Sequence, residues 1–286
     1  KDNKLVDLDL SQNPIQLQGY GNFEDNQIVN LKLPTTLQKI PNRTFYNNKL
    51  TSLKIPASVQ EIGAEAFAIN KLTSLKIPAT LQKIGAEAFY SNELTNIDFS
   101  EAHNLYIDAE AFYNNKLTKL NLPTGAGLTY YQDCPSSGWG VFASNPTLTE
   151  VTLPQDMTAI PGCFLQGTGI KSVTIPASVT TIGKRAFQGA YYLNEDQKLT
   201  NLTFAPGSQL TTIGEAAFTG QGLTTVNLPN TVTTIGNYAF SDNKLTKIKL
   251  PESNLTVGKW AFNNNLITEI IFPAHHTITL NGYVFK

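Results

Sequence analysis

The chain repeats one phrase about twelve times, and that repeat limits what it can fold into. Three lines show it: LTSLKIPASVQEIGAEAFAINK from Leu50, LTSLKIPATLQKIGAEAFYSNE from Leu72 and LTTVNLPNTVTTIGNYAFSDNK from Leu223, each 22 residues long. The opening apolar residue recurs from Leu5 through Ile28, Leu50, Leu72 and Leu94 to Leu245 and Ile267. A fixed period in this range means that each unit buries its apolar face only by stacking on its neighbours. The expectation is a repeat solenoid, mainly β, built as a right-handed superhelix with parallel sheets and about twelve repeats of roughly 22–23 residues. Such a fold offers a long surface of stacked side-chain columns in place of a deep pocket.

Within one repeat, Leu75 and Ile77 alternate with Ser74 and Lys76, the period of a strand with one buried face. Pro78 ends that strand, because proline brings no N–H to the ladder, and nine repeats carry proline there, from Pro34 to Pro273. Leu81 to Gly85 reads as a second extended segment, since later repeats have Val-Thr-Thr-Ile-Gly in its place. Ala86 to Phe89 reads as one helical or 3₁₀ turn, and Ser91-Asn92 as the return. These readings predict one continuous sheet from the Leu-x-Leu-Pro strands and a second, shorter sheet from the Ile-Gly segments. Leu53 and Leu75 are expected on adjacent strands.

All fifteen phenylalanines fall in register. Twelve close successive repeats, from Phe23 through Phe89 and Phe164 to Phe285, and Phe99, Phe204 and Phe272 replace an apolar strand residue. They are expected to form a core spine, with no phenylalanine left over for a separate aromatic patch.

The pattern LxxLxLPxxLxxIGxxAFxxN resembles the BspA-like leucine-rich repeats of bacterial surface and secreted proteins, and the resemblance covers essentially all of residues 1–286 as a single domain. Members of that family commonly carry cysteine where this chain has Asn26, Asn48, Asn70, Asn92, Asn115, Asn243 and Asn265. The resemblance implies an adhesin-like, non-enzymatic binding module. It would be extracellular, at the cell surface or secreted, with a protein or glycan of a host or neighbouring cell as partner. It also implies an oxidising exterior, in which a Cys134–Cys163 disulfide would persist, with Cys163 read at the small position beside Phe164. The alternative is two independent thiols. The resemblance transfers no binding residues, because the shared motif is core.

Composition narrows the field. A formal net charge of −1 gives no electrostatic case for nucleic acid. No apolar run nears the ~18 residues of a membrane span, so membrane insertion is not expected. The three histidines form no zinc spacing, no catalytic triad stands out from the repeat columns, and no cofactor motif occurs. The chain begins at Lys1, which reads as a mature protein or an expressed fragment.

Candidate binding residues lie where exposed columns break the pattern. Lys32, Lys54 and Lys76 stack as a basic strip, whose plainer reading is a solvated strand surface. The column two residues before each closing phenylalanine runs Arg43, Glu65, Glu87, Glu110, then later Arg185 and Ala216, and ends in Tyr238, Trp260 and Tyr283. Aromatic rings suit protein partners and sugar faces, or else cover a core edge. Two insertions, at about 124–140 and 188–198, carry Tyr130, Tyr131 and Trp139, and Tyr191 and Tyr192. A tyrosine pair in each is expected outside the core; the plainer reading is a loop capping its own apolar surface. At the ends, Gln16, Gln18 and Asn22 make the first repeat polar enough to cap, whereas Phe285 closes the last repeat one residue before Lys286. That leaves three expectations: continuation of the natural protein beyond Lys286, self-association through this end, or sealing by the aromatic column. The rival functional classes are a structural spacer presenting other domains and the repeat arm of a larger secreted enzyme.

Overall fold

A computed structural model describes residues 4–12 and 14–286. The fold is a parallel β-solenoid of about 12 turns with almost no helix. It divides into two compact units, Lys1–Tyr131 with Val141–Asn145, and Gln132–Gly140 with Pro146–Lys286.

In the first unit the Ile-Gly segments Lys39–Ile40, Glu61–Ile62, Lys83–Ile84, Tyr106–Ile107 and Thr129–Tyr130 form one five-stranded parallel sheet. In the second, Ala159–Ile160, Thr181–Ile182, Thr212–Ile213, Thr234–Ile235, Leu255–Val257 and Ile278–Leu280 form a six-stranded one. Among the described residues the Leu-x-Leu strands within each unit form two-stranded pairs, such as Ser74–Lys76 with Asn96–Asp98, placing Leu75 opposite Ile97, extended once by a single bridge from Asn227 to Lys249. The expected ranking of the sheets is therefore reversed. Proline interrupts the ladder at the end of the first segment, whereas the glycine of the second keeps its N–H, so Gly63 and Gly85 each donate to the isoleucine carbonyl of the turn before, at 2.8 Å. Leu53 lies outside any strand, although its turn stacks on the next through Lys71 N–H to Leu50 O at 2.9 Å. Gly85 also suits the close approach of turns: a Cβ there would lie 2.6 Å from Ala64 N.

The segment expected to be helical is a pair of tight turns instead, with Ala88 N–H to Gly85 O at 3.2 Å and Tyr90 N–H to Glu87 O at 3.0 Å. The only 3₁₀ helix among the described residues is Glu195–Gln197. Between the turns the backbone is left-handed at a residue that is rarely glycine, for example Glu65 (φ 53°) and Glu87 (φ 55°). That conformation carries a steric cost of roughly 1–2 kcal/mol. It is held because the same residue's N–H bonds the next turn, as Glu65 does to Ala86 O at 2.9 Å. The reversal brings residues such as Glu65 and Glu87 to the partly exposed surface, while the phenylalanines two positions on are buried.

The phenylalanine spine is stacked face to face. Ring centroids lie 5.3–5.6 Å apart from Phe23 through Phe67 to Phe142, and 5.2–5.5 Å apart from Phe187 to Phe285. Phe99 packs edge-on against Phe112 and Phe142. Three corrections follow. Phe164 does not hold the spine position: Leu165 N–H bonds Ala186 O at 2.8 Å, the bond that Phe67 makes to Ala88. Leu165 is therefore the spine residue, and Phe164 occupies the small-residue slot. Ile160 to Leu165 is five positions, the spacing of Ile84 to Phe89, so the leucine keeps the register and Phe164 stands one position early. Cys163 moves with it, out of the small position and into the left-handed column (φ 56°). Phe272 is half exposed, and no aromatic spine covers it.

A second column, of asparagines, ties the turns together. Asn70 Nδ2–H donates to Phe45 O (2.9 Å) and Phe67 O (3.1 Å), and its Oδ1 accepts Leu50 N–H at 3.0 Å. Asn48, Asn92, Asn115, Asn145, Asn243 and Asn265 repeat this. Each satisfies backbone groups that the turn would otherwise bury unpaired, which makes the column structural.

Candidate functional site

The candidate positions differ sharply in what surrounds them. The basic strip is mostly neutralised: Lys32 pairs with Asp9 at 2.9 Å and Lys76 with Glu101 at 2.7 Å. The Glu101 bond raises the Lys76 ammonium above its ordinary range. Lys54 alone of the three has no ion-pair partner among the described residues.

Tyr130 is core. It stands opposite Ile107 in the five-stranded sheet and is 5% exposed, its ring edge-on to Phe142 at 6.5 Å. The expectation that both tyrosine pairs lie outside the core fails here. Residues 124–131 contain the repeat's own second strand, with tyrosine in the isoleucine place. The extra length lies later: Tyr130 to Phe142 is twelve positions, where Ile84 to Phe89 is five. Tyr131 and Trp139 are half-buried. Cys134, in this insertion, is disulfide-bonded to Cys163, Cα to Cα 5.1 Å. The disulfide pins residues 132–140 to the left-handed column beside Arg185. Gly138 lies against the Arg185 guanidinium, since a Cβ there would be 3.6 Å from Nη1.

The 188–198 insertion is latched at several points. Tyr192 Oη–H reaches Gly167 O at 3.4 Å, in space that a side chain on Gly167 would fill. Leu193 is buried. Gln197 Nε2–H reaches back to Pro146 O at 3.2 Å and its Oε1 accepts Asn194 N–H at 3.0 Å, closing a capping box. Glu195 accepts from Lys198 at 2.5 Å and from Lys244 at 2.6 Å. The Lys198 bond, then the Lys244 bond, hold its carboxyl down at about 2. On this base Tyr191 is 100% exposed, touching Tyr192 edge-on at 5.5 Å.

The left-handed column changes character along the chain. In the first unit Arg43 is enclosed: Glu24 at 3.0 Å, Glu65 at 2.5 Å, and the Tyr46 ring 3.6 Å from the guanidinium carbon. Glu24 above all keeps that guanidinium fully protonated. Glu87, further along, is pushed up by burial first and then by Glu110 and Glu65. In the second unit Tyr238 stacks on Trp260 (5.0 Å, 27°) and Trp260 on Tyr283 (5.9 Å, 12°), with Lys259 Nζ 3.8 Å from the Trp260 centroid. The rings take up one another's faces, so Trp260 presents edges, not a flat platform. Among the described residues no group of three or more His, Cys, Asp or Glu could hold a metal, and no helix is long and apolar enough to cross a membrane.

Sequence reasoning placed Arg185 and Ala216 in this column without singling them out. The available signal was that the chain's two arginines hold the same column position and only Arg43 has an acidic neighbour there, Glu65.

The turn geometry and the comparisons agree. The chain belongs to the BspA type leucine rich repeat family, whose pattern matches residues 18–136, 126–194 and 189–286. No curated protein matches it. It is similar in fold to a leucine-rich repeat protein from Bacteroides ovatus, with 24% identity over 97% of this chain and 75% of that one, TM-score 0.62. The pneumococcal vaccine antigen PcpA aligns with 18% identity over 99% and 77%, TM-score 0.60. A leucine rich cell surface protein from Faecalibacterium prausnitzii aligns with 24% identity over 95% and 70%, TM-score 0.53.

Proposed function

We propose that the chain is a non-enzymatic, adhesin-like binding module of a bacterial surface or secreted protein. Its partner is a protein or glycan carried by a host or neighbouring cell. The observation that carries this reading is Tyr191: a fully exposed aromatic side chain held on a loop anchored by Gln197, Tyr192 and the Glu195 ion pairs. Exposed aromatics on pre-ordered loops bind at low entropic cost. The family and the cell-surface description of the Faecalibacterium neighbour support an extracellular location.

The test is a binding screen of the intact chain against extracellular-matrix proteins, glycans and epithelial cells, alongside Tyr191→Ala and a variant with 189–197 shortened. Binding that drops with both variants supports the reading. Binding unchanged in both places the contact elsewhere. No binding by the intact chain favours the spacer, a role that the ion-paired columns of the first unit suit. The exposed Leu266, Phe272 and Tyr283 support the further proposal of self-association through the last turns, read by sedimentation at rising concentration.

A further inference from the structure

A glycine turns the corner after the second strand of most repeats, as at Gly214, Gly236 and Gly258. The space there is closed: a Cβ on Gly258 would come 2.4 Å from Asn237 N, and one on Gly236 would come 2.6 Å from Glu215 N. After Ile278–Leu280 the glycine has moved one place on, so Asn281 holds the corner and Gly282 follows it. Asn281 N–H still bonds Val257 O at 2.9 Å, as Gly258 N–H bonds Ile235 O at 2.7 Å. The backbone beyond it stands further off. Trp260 N–H reaches Gly282 O at 3.4 Å, where Tyr238 N–H reaches Lys259 O at 3.0 Å. Gly282 is left-handed (φ 38°), and beyond its chain neighbours no atom lies within 4 Å of where its Cβ would be.

Asn281 is the only asparagine in the chain that precedes a glycine. Its side chain is exposed and makes no hydrogen bond among the described residues. Exposed asparagines on the neighbouring turns are engaged. Asn237 Oδ1 accepts Lys259 N–H at 2.8 Å, Asn254 Oδ1 accepts Thr277 N–H at 3.0 Å, and Asn264 Nδ2–H donates to Asp242 at 2.7 Å. Gly282 N–H likewise donates to nothing among the described residues. A free carboxamide therefore stands next to an unbonded and unhindered backbone nitrogen, and the conformational freedom of glycine lets the two approach.

We propose that Asn281 is a modification site, at which the chain deamidates itself through a cyclic imide. Gly282 N loses its proton to hydroxide and attacks Asn281 Cγ. The N–Cγ bond forms, the Cγ–Nδ2 bond breaks, and Nδ2 takes a proton from water and leaves as ammonia. Water then opens the ring. Cleavage at Cγ gives aspartate, and cleavage at the main-chain carbonyl carbon gives isoaspartate, whose backbone runs through Cγ. Either product places a carboxylate two residues from Tyr283, whose ring centroid lies 5.3 Å from Lys286 Nζ and 6.0 Å from Lys259 Nζ. The isoaspartyl form also adds one atom to the backbone between Leu280 and Tyr283, which shifts Tyr283 on the Trp260 face. Conversion thus changes both charge and stacking at the end of the aromatic column.

The experiment is incubation of the intact chain at neutral and at mildly alkaline pH, with its peptides followed by mass spectrometry and isoaspartate labelled by an isoaspartyl methyltransferase. Asn281 is expected to convert about tenfold or more faster than Asn237, Asn254 or Asn264. It should give both products, and its rate should rise with pH. Gly282→Ala should slow the conversion about tenfold, because the added Cβ restricts the approach of the nitrogen. The comparison among asparagines uses the unaltered chain, so it stands whatever Gly282→Ala does to the corner. Asn281 converting no faster than the other three, conversion to aspartate alone, or a rate indifferent to Gly282→Ala would each overturn the site.

Discussion

The turns around Arg43 and those around Arg185 follow one template, yet only the first set is internally satisfied. Around Arg43, acidic neighbours and a tyrosine ring close the column, and the asparagine ladder runs through Asn48, Asn70, Asn92 and Asn115. Around Arg185 the ladder position is held by Thr168 and Gln221, and two insertions interrupt the repeat. The difference teaches where to look in a solenoid. A regular column uses its charges on itself, whereas an irregular one leaves Arg185 Nε without a hydrogen bond and Tyr191 in solvent.

The sharpest break of this comparison is in the ladder. Asn92→Ala leaves Leu72 N–H without its partner and takes one of two amide donors from each of the Phe67 and Phe89 carbonyls, and should cost about 2–3 kcal/mol in chemical denaturation. Thr168→Ala removes a single bond to Leu165 O, at about 1 kcal/mol. Equal losses would mean that the two regions are equally well tied. Next come the arginines. Arg43→Gln breaks two partly buried ion pairs and should cost about 1–2 kcal/mol, whereas Arg185→Gln should stay within about 0.5 kcal/mol. A larger loss at Arg185 would reveal an internal partner.

Much of this was legible in the sequence, and the failures have physical reasons. The period gave the stacking, and the Ile-Gly and phenylalanine positions gave most of the core, because every turn must bury the same face. The spine was misread at Phe164 because phenylalanine and leucine are adjacent and both apolar, so residue type pointed to Phe164 while the five-position spacing from Ile160 belongs to Leu165. Tyr130 was misplaced because a tyrosine-rich stretch looks like a loop until Ile107 is seen opposite it. The latch of 188–198 was invisible: Glu195 and Lys244 are 49 residues apart, a separation no local pattern encodes.

A smaller effect concerns the latch. The Glu195 carboxyl is held at about 2 against an ordinary 4.5, so the latch is fully present above about pH 4.5 and is lost as pH falls through about 2. Proteolytic cleavage beside Tyr191 should be slow at neutral pH and faster with Lys244→Ala; acid should release the loop, read by exchange of the 190–198 amides. Cleavage indifferent to Lys244 would remove the latch from the account. The smallest effect is at Glu87. Its raised carboxyl pKa means that the neutral form is favoured in the fold, so stability falls as pH rises through the carboxylate range. Glu87→Gln should stabilise at neutral pH by about 0.5 kcal/mol at most, given solvent screening, and the gain should vanish in acid.

The central claim is that binding resides where the columns are irregular. It is tested most directly by measuring adhesion of three purified chains to epithelial cells and matrix: the intact chain, the Tyr191→Ala/Arg185→Gln double variant, and a Lys32→Ala/Lys54→Ala/Lys76→Ala variant of a regular column. The account predicts that the double variant loses adhesion while the lysine variant keeps it. Adhesion retained by the double variant and lost by the lysine variant would contradict it.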